Sequence, residues 1–74
     1  MTLDALIRMA NQIAANQAHL PPDQAASQVA EHLRLFWTPG MRQELVAHAA
    51  TGADDLVPVV LAALEQVTAA VPSS

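Results

Sequence analysis

"HLRLFWTPGMR", residues His32 to Arg42, holds the only Phe and the only Trp of the chain side by side, followed at once by Thr38-Pro39-Gly40. Before the pair, Ala26, Val29, Ala30, Leu33, Phe36 and Trp37 recur at helical spacing, so an amphipathic helix runs into the aromatics. After it, Thr38 is a good N-cap. Pro39 is a good first helical residue, because the N–H it lacks is one that a helix start leaves unbonded anyway. The stretch therefore reads as a helix end, a capped corner and a new helix. A large aromatic pair before the corner and a flexible Met41 after it would wedge the two helices at a fixed angle.

Working outward, punctuation divides the chain into about four short helices, expected at 3–17, 22–37, 39–51 and 55–70, with a flexible tail at 72–74. The class is all-α: one small bundle in a single domain spanning residues 1–74. Leu3, Leu6, Ile7, Ala10, Ile13 and Ala14 form the stripe of the first helix, with Thr2 as its cap and Asp4 at the positive end of its dipole. "HLPP" closes it, and Pro22 suits the first turn of the second helix. Met41, Leu45, His48 and Ala49 share a face of the third, which Thr51-Gly52 stops, Gly52 being free to take the left-handed conformation. Asp54 or Asp55 is expected to cap the fourth. Its "VPVV" is β-branched, but Pro58 and the following "LAALEQVTAA" favour helix. Leu56, Val59, Val60, Ala63, Leu64 and Val67 face inward. Val57 and Leu61 fall outside that stripe, so the helix is apolar nearly all round and calls for a second cover, in so small a domain another protein.

Composition narrows the function classes. With 74 residues and no Cys, the chain has neither disulfides nor a thiolate site. A net charge of −4, with three Arg and no Lys, excludes the broad cationic face that nucleic acid or anionic lipid requires. The longest apolar run, Leu56 to Leu64, is far short of the roughly 20 residues that span a bilayer. "MTLDALIRMA" lacks the cationic start of a signal peptide. A soluble, cytoplasmic protein is the expectation, and the charge balance leaves open a protein-protein role or a small ligand.

Catalytic chemistry is thin. Gly40 and Gly52 are the only glycines, so no Gly-rich loop cradles phosphate. Glu44 and His48 share a helix face, but a closed metal site needs about four ligands. Ser27, Ser73 and Ser74 have no His/Asp setting. "DDLVP" lacks the Ser that would carry the arm of an acyl carrier protein. No catalytic, cofactor-binding or metal-binding residue is expected. His19 is expected in a solvated loop, His32 packed or hydrogen-bonded at the corner, and His48 at a helix end.

Three stretches carry a family resemblance: "LIRMANQIAAN" (Leu6 to Asn16), "VAEHLRLFWTPGMRQELVAHAATG" (Val29 to Gly52) and "DLVPVVLAAL" (Asp55 to Leu64). Through them, and most specifically through "RMANQIA" and H-x-x-x-F-W-x-P-x-M-R, the chain resembles the small delta subunit of cytoplasmic, NAD-dependent, molybdenum- or tungsten-containing formate dehydrogenases. The resemblance implies a non-catalytic accessory subunit that binds the large catalytic subunit and stabilises it or helps it mature. The molybdopterin cofactor, iron–sulfur clusters and FMN would then belong to the partner subunits, with none in this chain. The partner-binding residues expected are Trp37, Pro39, Met41 and Arg42 at the corner, with Val57 and Leu61 on the last helix. Phe36 is expected to stay within the chain, since neighbours on a helix diverge by about 100° and both aromatics cannot enter one thin core. The competing reading is a self-associating helical interaction or regulatory module unrelated to formate oxidation. On either reading the isolated chain is expected to be modestly stable or to self-associate.

Overall fold

Residues 2–69 are described by a computed structural model, and they form four α-helices: α1 (Leu3–Asn16), α2 (Pro22–Phe36), α3 (Pro39–Ala49) and α4 (Pro58–Ala69). No strand occurs among the described residues. The tail expected at 72–74 lies outside them. No helix among them is long and apolar enough to cross a membrane.

Local chemistry explains each helix start. Thr2 Oγ1 accepts from the Ala5 amide at 3.2 Å, opening α1. Thr38 Oγ1 accepts from the Met41 amide at 3.2 Å, opening α3. α2 has no side-chain cap; Pro22 stands in its first turn and the carbonyl of Pro21 takes the Ala25 amide at 2.8 Å. α3 ends where Thr51 Oγ1 bonds the His48 carbonyl at 2.6 Å and Gly52 turns the chain at φ 81°. That left-handed conformation suits a residue without Cβ.

α2 and α4 are the most extensively packed pair. Ala26, Ala30 and Ala63 are almost wholly buried on these two helices, and small side chains there let the backbones approach. Ser27 Oγ to Gln66 Oε1 (3.2 Å) adds a polar link between them. α1 contacts all three other helices. The core is apolar throughout: Leu6, Leu33, Leu45, Val29 and Val60 are its largest fully enclosed side chains, and among the described residues no polar or charged one is buried. Burying one such side chain stabilises the fold by about 1.5–3 kcal/mol.

The start of α4 departs from expectation. Neither Asp54 nor Asp55 caps it. The helix opens at Pro58, and the Val57 carbonyl accepts the first bonds, from Val60 (3.0 Å) and Leu61 (3.2 Å). Asp55 is engaged elsewhere. Its Oδ1 lies 2.9 Å from His48 Nε2. Its carbonyl accepts from Asn11 Nδ2 at 2.8 Å, while Asn11 Oδ1 takes the Val57 amide at 3.1 Å. One amide side chain on α1 thus grips both flanks of Leu56, which is buried in the core.

Candidate partner interface

The corner between α2 and α3 is built around Arg42. Its Nη1 donates to the Trp37 carbonyl at 2.7 Å and the Leu33 carbonyl at 3.0 Å, with Arg34 O at 3.5 Å. These carbonyls belong to the last turn of α2 or just beyond it; that of Leu33 also accepts the Trp37 amide at 3.1 Å, while those of Arg34 and Trp37 receive no backbone donor among the described residues. A guanidinium from the next helix supplies the donor and sets a positive charge at the negative end of α2. Arg42 is therefore half-buried and engaged within its own chain.

The two aromatics are placed in reverse of the expectation. Trp37, expected on the contact face, is 5% exposed and belongs to the core cluster, whereas Phe36, expected inside, is 70% exposed. The cause is the backbone. α2 ends at Phe36, and Trp37 is extended at φ −96°, ψ 144°, so the helical 100° step no longer directs its side chain. Its ring turns under the corner, and its Nε1 is buried with no hydrogen-bond partner. Phe36 keeps its helical direction, on the solvent side, where the ring of His32 one turn earlier packs against it with centroids 4.8 Å apart and planes tilted by 42°.

Around that stacked pair lies an apolar surface. His32 shares a shallow groove between α1 and α2 with Arg8, Met9, Gln12 and Ile13. Met9 is one of four large apolar side chains standing exposed among the described residues, with Leu35, Phe36 and Val57. Three of these four lie on α1 or at the end of α2. Leu35 is 65% exposed. The signal for it was present in the sequence: an apolar residue opposite the buried stripe of an amphipathic helix. Met9 and His32 gave no such signal, because they sit at stripe edges whose cover depends on tertiary packing.

The other expected contact residues divide. Pro39 is exposed, Met41 is half-buried against the core, Val57 is 39% exposed, and Leu61 is half-buried with its inner side on the core. Val57 lines a depression with Asn11, Ala14 and Ala18 of α1 and the turn after it. His48 bonds Asp55 rather than pairing with Glu44. Among the described residues no group of three His, Cys, Asp or Glu side chains is placed to hold a metal ion. Arg8 and Arg42 have no carboxylate partner among the described residues, and the arrangement offers apolar area and shallow concavity. It suits burial against another protein.

A family model described as "NADH-dependant formate dehydrogenase delta subunit FdsD" matches residues 5–64, from the first turn of α1 to the middle of α4. No curated protein matches the chain, and no solved structure does.

Proposed function

We infer the role of this chain from the family to which it belongs, the delta subunits of NADH-dependent formate dehydrogenases. As a member, it is an accessory component of a formate dehydrogenase complex. We propose that it is non-catalytic and cytoplasmic, and that it docks on the large catalytic subunit to brace it or aid its maturation. On this reading the partner subunits hold the molybdopterin cofactor, iron–sulfur clusters and FMN, and this chain supplies surface only.

The observation that carries the docking site is Phe36: an aromatic side chain 70% exposed on a fold whose core is complete without it. A large aromatic at a helix end, stacked on one side by His32, presents area at low conformational cost. Met9 and Ile13, which share a groove with His32, extend the apolar surface beside it, and Leu35 adds a further exposed apolar side chain near the end of α2. Trp37 and Met41 act beneath this surface by fixing the corner that displays it. An anchor of this kind is worth 2 kcal/mol or more when truncated, roughly thirty-fold in affinity.

The test is co-expression with a tagged catalytic subunit. Phe36→Ala is expected to keep the helicity of the wild-type chain and to lose its retention on the complex. A Phe36→Ala chain retained as well as wild type would show that the corner is not the docking site.

A further inference from the structure

We propose a second contact, in a groove that shares Pro39 and Arg42 with the corner but that Phe36 does not line: the groove between the end of α2, α3 from Pro39 to Ala47 and the end of α4 receives an acidic, aliphatic segment of the catalytic subunit. The proposal rests on the reading that this chain docks on that subunit.

The groove has an aliphatic lining from Pro39, Val46, Ala47 and Val67, and Arg34 and Arg42 line it too. The chain carries a net charge of −4 and only three arginines, so two of its three strong cations border one apolar concavity. An acidic protein that gathers its cations in this way offers a complementary site for carboxylates. Two guanidinium groups are too few to hold a nucleic-acid backbone, whose binding depends on neutralising many phosphates.

Arg42 is prepared for such a partner. Its Nη1 is tied to the carbonyls of Trp37 and Leu33, while its Nε and Nη2 have no hydrogen-bond partner among the described residues. A guanidinium already held by one nitrogen has lost most of its freedom and adds little entropic cost on gripping a carboxylate. Arg34 makes only long contacts, 3.7 Å to Glu31 and 3.4 Å to the Gln66 carbonyl, and its side chain is 40% exposed. A peptide with an Asp or Glu beside an aliphatic residue fits both features, the carboxylate on the cations and the aliphatic group on Val46 and Val67. The chain's own residues 70–74, "AVPSS", carry no acidic side chain, which makes them the poorer match.

The chain has no Cys, so Ala47→Cys, at an exposed position on the groove, gives a single attachment point for a maleimide photo-crosslinker. Irradiation of the purified complex is expected to join it to a segment of the catalytic subunit containing Asp or Glu among aliphatic residues. In parallel, Ala47→Glu is expected to weaken binding to that subunit about tenfold, and Ala47→Lys to bind at least as well as wild type, both with unchanged helicity. Equal affinities for the two variants would overturn the proposal. So would cross-links to residues 70–74, to a second copy of the chain, or to a segment without acids. A chain that joins the complex, loses it on Phe36→Ala and is indifferent to charge at position 47 refutes the groove alone. A wild-type chain that never joins the complex removes the docking reading and the groove with it.

Discussion

Truncating the two neighbouring aromatics should separate them completely. Trp37 is 5% exposed within the core cluster, so Trp37→Ala opens a cavity beneath the corner. Such a change costs about 3–5 kcal/mol in a well-packed interior. The lower end applies here, because the indole Nε1 has no partner and its removal relieves a buried, unsatisfied donor. A domain of this size has a total stability of about 4–11 kcal/mol, at roughly 0.05–0.15 kcal/mol per residue. A loss of about 3 kcal/mol lowers the melting temperature by about 12–24 °C. Phe36→Ala removes a ring that is 70% exposed and should change stability by no more than about 0.5 kcal/mol. Thermal melts followed by circular dichroism measure both. The single Trp adds a second probe in wild type and in Phe36→Ala, whose emission should be blue-shifted when folded and move to the red on melting. Equal destabilisation by the two substitutions, or a red, solvent-exposed emission from the folded chain, would refute the placement of the pair.

Arg42→Met keeps the aliphatic stem but removes the donor that closes α2, and should lower stability by about 1.5–3 kcal/mol in a urea titration; a loss under about 0.5 kcal/mol would mean that solvent replaces the guanidinium freely. Asn11→Ala leaves the Val57 amide and the Asp55 carbonyl without their shared partner, and should cost about 1–2 kcal/mol and speed amide exchange at Val57. Unchanged exchange there would show that the clamp is not what holds the loop.

Much of the architecture was legible because its signals are local. Thr2, Pro22, Thr38, Pro39 and Gly52 act within a few residues of themselves, and each appears in the role its chemistry favours. The misplaced features are those decided at a distance. Phe36 and Trp37 straddle the two edges of the α2 stripe, so periodicity alone is indifferent between them. The choice came from the helix stopping one residue before Trp37 and from the cover available under the corner. Asp55 is a good cap by composition, yet His48 and Asn11, from two other helices, draw its side chain and carbonyl away, and α4 starts at Pro58. Arg42 shows the same limit. A cation shortly after a corner suggests an outward grip, and only the fold shows one of its nitrogens turned back on the preceding helix.

The bonds made by Asn11 reach 44 and 46 residues forward along the chain. During synthesis, α1 can form early, but it cannot be locked in place until the segment around Leu56 has left the ribosome and reached it. Met9 and Ile13, on the same helix, can meet His32 of α2 earlier, because that contact involves only the first two helices. The turn around Leu56 and the helix it is tied to are therefore fixed late and together, so an incomplete nascent chain lacks the clamp and a completed one closes it in a single step.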